Sequence, residues 1–322
     1  MSDPMPPASS PPIPTGVASS DNRFVDKCIV ITGAGGTFGR AGCLYFAERG
    51  AKVAAIDNNF EALAETVKYV RQELKKSDEY VNESINGFEC DVTSAESVDA
   101  AVSDVVAAFG GIDLLWNNAG YQGQIKPTLE YNVDDFALVM AVNVTGMFKM
   151  LQAVARQMAK TSEEKKKIGD AISSSTKEGK GDSVDTTSHP FAIVNTASVA
   201  GMRGTPAMVA YSSSKAAVLA MTVSSAKDLA PYGIRVNAVS PALIGPGFMW
   251  TRQNELHATS GSPYFPTDPV KVAEGKINSV PMKRLGTTNE VIKAVAFLLG
   301  DESSYTTAFN LVVDGGMSGG LR

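Results

Sequence analysis

The sequence predicts a single α/β domain: a doubly wound parallel sheet of seven strands with helices on both faces. Three observations predict it. From about Phe24, short apolar runs alternate with longer runs of helical periodicity. The first apolar run ends in a glycine cluster that opens a helix, and the second ends in an acid.

The first strand reads Cys28 to Thr32, followed by Gly33-Ala34-Gly35-Gly36, a helix to Arg49, and Gly50 in the position of a C-terminal cap. The second strand is Lys52 to Ile56, closed by Asp57. The remaining strands are Ile85–Cys90, Ile112–Trp116, Phe191–Thr196, Ile234–Val239 and Phe309–Val313. Two helix starts carry the pattern of a capping box, Thr93-Ser94-Ala95-Glu96 and Thr287-Thr288-Asn289-Glu290, which satisfies orphan amides of the first turn. The 322 residues thus divide into a tail over 1–21, with six prolines among its first 14 residues and expected to be disordered, and one domain over 22–322. Two stretches interrupt the alternation. The polar one at about 161–188 reads as a surface insertion, and the one at about 245–280 as a lid over substrate.

A formal charge of −5 leaves no basic footprint for nucleic acid or an anionic membrane. Cys28, Cys43 and Cys90 are widely spaced, which argues for a reducing compartment and against a disulfide scaffold; with only His189 and His257 beside them, no metal site is expected. No apolar run approaches the roughly 18 residues of a membrane span, and no secretory or mitochondrial leader is recognisable, so the expected location is the cytoplasm.

The turn Thr32-Gly33-Ala34-Gly35-Gly36-Thr37-Phe38-Gly39 lets backbone approach a pyrophosphate at a helix N-terminus, which assigns Gly33, Gly36, Thr37, Phe38 and Gly39 to a dinucleotide. The register is T-G-x(3)-small-x-G rather than G-x-G-x-x-G, since the latter would require glycine at Phe38. Asp57, 18 residues beyond Gly39, suits a ribose 2′-hydroxyl and repels a 2′-phosphate, so NAD is favoured over NADP; a helix N-cap is its other reading. Asp91 and Val92 after the third strand suit adenine, although Asp91 equally suits a helix start. Asn118, Ala119 and Gly120 end the fourth strand where ligands enter such sheets.

Tyr211 and Lys215 lie four residues apart, on one face of a helix, and Ser198 precedes them just past a strand. A phenol near pKa 10 is a poor base at neutral pH. A cation about 4 Å away favours the phenolate by up to about 4 kcal/mol at an effective dielectric near 20, close to three pKa units. Tyr211 can then take a proton from an alcohol whose oxygen Ser198 orients.

With these motifs in order, the sequence resembles the short-chain dehydrogenase/reductase family from about Phe24 to Gly316. The resemblance implies a Rossmann fold, a homotetramer, and Asn143 as a fourth catalytic residue that holds a water behind Lys215. It also implies that Lys215 binds the nicotinamide ribose and that the segment Pro241-Ala242-Leu243-Ile244-Gly245-Pro246 cups the nicotinamide, with Pro241 and the Ile244 backbone as contacts. Ala242 stands where the family usually has glycine, and Pro246 where many members have threonine. Asn118 to Gly123 and Gly245 to Arg252, with Glu255-Leu256 and Tyr264-Phe265, look like the NAD-dependent xylitol dehydrogenases of this family. That implies oxidation of a polyol to a ketose, with Gln122, Trp250 and Asn254 joining Ser198 and Tyr211 on the substrate; Trp250 equally reads as lid packing. A reductase of hydrophobic ketones or 3-oxoacyl thioesters, and a non-catalytic nucleotide-binding regulatory protein, are the alternatives.

Overall fold

β-Branched and small apolar residues fill the predicted strands, and they pair as parallel neighbours throughout. The computed structural model describes residues 23–74, 84–175 and 190–319. In it β1 (Cys28–Thr32), β2 (Lys52–Asp57), β3 (Ile85–Glu89), β4 (Leu114–Asn117), β5 (Phe191–Thr196), β6 (Ile234–Pro241) and β7 (Asn310–Val313) form one sheet, ordered β3-β2-β1-β4-β5-β6-β7. The order reverses between β1 and β4, so a crevice opens outside their carboxyl ends.

Helices cover both faces: α1 (Thr37–Ala47), α2 (Phe60–Glu73), α3 (Ala95–Phe109), α4 (Val133–Met140), α5 (Met147–Ser175), the short α6 (Ala200–Arg203), α7 (Val209–Leu229), α8 (Phe248–Ala258), α9 (Pro269–Ser279) and α10 (Thr288–Leu299). The two-residue period of the strands sorts the core. Ile29, Ile31 and Val53 pack with Phe46 of α1 and Val295 of α10. Val30, Ala54 and Leu115 face the other way, onto Val102 of α3 and Met150 and Val154 of α5.

Several expectations are revised. The fourth strand starts at Leu114 rather than Ile112, because the Asp113 carboxylate accepts the Cys28 amide (2.8 Å) at the strand's entrance. The Thr287 capping box forms, but the Thr93 one does not: Ser94 caps α3, while the Thr93 amide and hydroxyl both bind Asp91 Oδ1 at 2.8 Å. Residues 161–175 continue α5 through the Glu163–Lys167 charges instead of looping out; 176–188 and the tail 1–21 lie outside the described residues. The stretch 245–280, in which the sequence shows no helix, holds α8 and α9, hidden because α8 lacks an apolar stripe. The run Val133–Glu164 is long and apolar enough to cross a membrane, a feature that a count of uninterrupted apolar residues misses. Its Val139, Met147, Met150, Val154 and Met158 are buried within the domain.

A buried arginine secures the last helix. Arg235 of β6 is 3% exposed and donates to the carbonyls of Leu298 (2.8 Å), Gly300 (3.0 Å) and Thr306 (3.3 Å) and to the Ser303 hydroxyl (2.9 Å). A cation at a helix C-terminus meets both the orphan carbonyls and the negative end of the dipole. Arg235→Met should therefore destabilise the fold by about 2–4 kcal/mol, since it strands buried acceptors. Urea denaturation checks this, and a loss below about 1 kcal/mol would contradict the role.

Candidate active site

The turn after β1 is shaped by close approach. Gly33 has a left-handed φ of +69°, and a Cβ on Gly39 would meet the Gly33 carbonyl oxygen at 2.1 Å. Gly36 is the N-cap of α1 and supplies no side-chain cap, and the first turn carries no acid, which leaves the end of the helix receptive to an anion. Asp57, at the end of β2, accepts the Gly35 amide on Oδ2 (2.8 Å) and the Asn59 amide on Oδ1 (2.9 Å). The carboxylate is thus aimed at the turn by backbone donors. The helix N-cap reading belongs to Asn59, which caps α2.

Beyond β4 the chain leaves the sheet beside the carboxyl end of its neighbour β1. The Thr32 hydroxyl accepts the amides of Asn118 (2.8 Å) and Ala119 (2.9 Å), so the exit loop is pinned beside the glycine turn. The next residues are held by Asn143, which is fully buried in a π-helical turn (Ala141–Gly146) between α4 and α5. Its Oδ1 accepts the Tyr121 amide (2.7 Å), and its Nδ2 donates to the Tyr121 carbonyl (2.8 Å) and to Ser214 Oγ (3.0 Å). A Cβ on Gly120 would stand 3.3 Å from Asn143 Oδ1 and 3.7 Å from Lys215 Nζ, so only glycine leaves the space between them open.

Helix α7 carries Tyr211 and Lys215 on one face, as their spacing predicts. Lys215 Nζ donates to the Thr196 carbonyl (2.7 Å) and lies 5.6 Å from the centroid of the Tyr211 ring. The Ser198 hydroxyl is within reach of the Tyr211 phenol and of the Pro241 carbonyl (3.5 Å), and its oxygen accepts the Ala200 amide (3.2 Å).

These elements enclose a cavity of about 680 Å³, within the range of small-molecule sites. Gly33, Gly36, Thr37, Phe38, Asp57, Asp91 and Val92 line one end. Asn118, Ala119, Gly120, Gln122, Tyr211, Lys215, Ile244 and Trp250 line the rest. Some expected contacts lie elsewhere. Gly39 is a packing position behind the turn. The Pro241 carbonyl accepts the Val199 amide (3.1 Å), so Pro241 supports the Ser198 segment rather than the cavity wall. Asn254 is 3% exposed and its Oδ1 accepts Lys276 Nζ (2.8 Å), which removes it from the substrate set. Residues not singled out from the sequence also line the cavity: Tyr121, Leu138, Val142, Met249 and Gln253. Leu138 arrives from α4, which carries no motif, and Val142 and Gln253 were legible only as the neighbours of Asn143 and Asn254.

The short chain dehydrogenase profile matches residues 27–256. The chain belongs to the short-chain dehydrogenase/reductase family. It is an oxidoreductase that interconverts alcohols and ketones, and the non-catalytic alternative falls. Levodione reductase of Leifsonia aquatica is 32% identical over 94% of this chain and 98% of its own length. An NAD+-bound xylitol dehydrogenase structure is 46% identical, covers 91% of this chain and all of its own, and superimposes with a TM-score of 0.79. A 3-ketoacyl-(acyl-carrier-protein) reductase of Brucella melitensis complexed with NADH is 25% identical over 91% of this chain and 99% of its own, with a TM-score of 0.69.

The electrostatics of this dehydrogenase depart from the sequence argument. Burial pushes the Tyr211 phenol above its ordinary value, opposed only by the Ser198 hydrogen bond. Burial likewise pushes the Lys215 ammonium down to about 8. Desolvation is the first cause of both shifts, and the Lys215 ammonium is not among the causes acting on Tyr211. The sign for Ser198 follows: its hydrogen bond favours the phenolate, so removing it raises the phenol further. In Ser198→Ala the ascending limb of the oxidation kcat–pH profile should move to higher pH, with kcat lowered by about 10²-fold. A limb that stays put or moves to lower pH would contradict this assignment.

Proposed function

We propose that this short-chain dehydrogenase oxidises a polyol to a ketose with NAD, xylitol being the first substrate to try, and runs the reverse reduction with NADH. One observation carries the polyol reading: Gln122 Nε2, in the cavity wall, is buried and has no hydrogen-bond partner among the described residues. A buried amide donor left unpaired costs about 1–3 kcal/mol, and a substrate hydroxyl would satisfy it. The likeness of 91% of the chain to the xylitol dehydrogenase structure supports the same substrate class.

The residues present fit the dinucleotide: the glycine turn leaves a cradle, α1 points its amide end at it, and Asp57 stands ready for ribose hydroxyls. NAD, when bound, supplies the hydride acceptor. Tyr211 takes the hydroxyl proton, Ser198 orients the substrate oxygen and donates to it as charge develops, and Lys215 is fixed by the Thr196 carbonyl beside the ribose position. Asn143 keeps the 118–122 loop in place and, with the open gap at Gly120, accommodates a water behind Lys215. We assign a homotetramer as well; apolar side chains exposed on neighbouring helices, Val133 and Leu138 of α4 and Val223 of α7, support an oligomer.

A specific feature favours a second reading. Leu138, Val142, Phe248 and Met249 give the cavity an apolar side that suits a hydrophobic ketone or a 3-oxoacyl thioester. A panel of polyols, monoalcohols and hydrophobic ketones, followed by nicotinamide absorbance, separates the two; polyols are expected to give the highest kcat/KM, and faster hydrophobic ketones would transfer the assignment.

Tyr211→Phe should lower kcat by about 10³-fold or more while the NAD dissociation constant stays within about threefold. Near-normal turnover in that variant would end the proposed mechanism. The parent should prefer NAD over NADP, and Asp57→Ser should shift the ratio of kcat/KM values toward NADP by about 100-fold, because a like charge no longer faces the 2′-phosphate. An unshifted ratio would remove Asp57 from cofactor choice.

A further inference from the structure

Helix α8 forms a wall of the cavity through Phe248, Met249, Trp250 and Gln253, yet the residues it buries are mostly polar. The buried residues of α8 are Asn254, His257 and Ala258. A helix with a polar inner side needs polar partners to hold its position. Those partners converge on Lys276, on the neighbouring helix α9. Lys276 Nζ donates to Asn254 Oδ1 at 2.8 Å, reaches Gln253 Oε1 at 3.5 Å, and lies 5.4 Å from the centroid of the Trp250 ring. No carboxylate lies within ion-pair distance of it among the described residues.

His257 closes the cluster. The Gln253 carbonyl, 2.7 Å from His257 Nδ1, can only accept, so the ring proton belongs on Nδ1. Lys276 Nζ, 3.1 Å from that nitrogen, is therefore not its donor. Burial first, and the Lys276 charge second, push His257 down to about 4, which keeps the ring neutral. What Lys276 binds in α8 is thus the side of the helix turn that bears Gln253, Asn254 and Trp250.

We propose that Lys276 is a positioning residue for the alcohol substrate: its single side chain ties α9 to α8 and sets Gln253 and Trp250 at the spacing the substrate meets. This rests on the reading that the α8 wall faces the alcohol. Lys276 does not line the cavity, so it acts through the two residues that do. Its cationic head suits the task because it can serve two amide oxygens and one aromatic face at once.

Kinetics of Lys276→Met, Lys276→Arg, Gln253→Ala and the Lys276→Met/Gln253→Ala double variant test the proposal, using whichever substrate of the panel turns over fastest. In Lys276→Met the KM for that substrate should rise about tenfold while kcat and the NAD dissociation constant stay within about twofold. The double variant should fall within about twofold of the worse single variant, since both changes break one contact. Lys276→Arg, which keeps the cation, should recover most of the lost KM. If the Met variant does not fold, Lys276→Gln is read in the same way. An unchanged KM, additive effects, an Arg variant as impaired as Met, or NAD binding weakened as much as KM would each overturn the proposal. If hydrophobic ketones outrun polyols, the polyol reading fails in the panel itself, and the KM split is then read on the ketone.

Discussion

Parallel strands deliver their carboxyl ends to one edge of the sheet, and the reversal of order between β1 and β4 leaves that edge open. Every feature of the site depends on this constraint. The glycine turn, Asp57, Val92, the Asn118 loop and the Ile244 segment follow different strands, separated in sequence by whole helices, yet they border one crevice, with Ser198 buried behind its wall after β5. The only catalytic candidates drawn from elsewhere are those on helices: Asn143 in its π-turn, and Tyr211 with Lys215 on α7.

Within that crevice, hydrogen bonds to backbone do most of the positioning. Lys215 is held by the Thr196 carbonyl, Asp57 by two amides, Tyr121 by Asn143, and the Asn118 loop by the Thr32 hydroxyl. Backbone partners move little, so these side chains are presented with little rotamer freedom. A related anchor acts further out. Burial works against the charge of Asp135, yet the amide of Gln124 and the phenols of Tyr131 and Tyr121 hold its carboxyl below the usual range and bind the loop to α4. Burial also explains why the reacting pair departs from a simple Coulomb estimate. Taking a phenol and an ammonium out of water raises one pKa and lowers the other, and that burial is the first cause at both residues.

Short continuous apolar runs made the sheet readable, because a strand buried on both faces has few polar positions to interrupt the run. The helices of the 245–280 segment were not readable, because α8 buries Asn254 and His257 where periodicity looks for leucine. The continuation of α5 to Ser175 was hidden by a polar, charged composition that reads equally as loop. Asn254 illustrates the same limit at the level of one side chain. Its amide suits a polyol, but only the packing of α9 shows that Lys276 occupies it.

The linear chain by itself determined the doubly wound class, the glycine turn with its distant acid, and the Ser198, Tyr211 and Lys215 set, since each depends on local spacing or on strand-end position. The tertiary structure alone decided which polar groups face the cavity, which are consumed by neighbours, and in which direction burial moves the phenol and the ammonium. Those outcomes are set by contacts between residues far apart in sequence and by exclusion of water, neither of which is written in any local pattern.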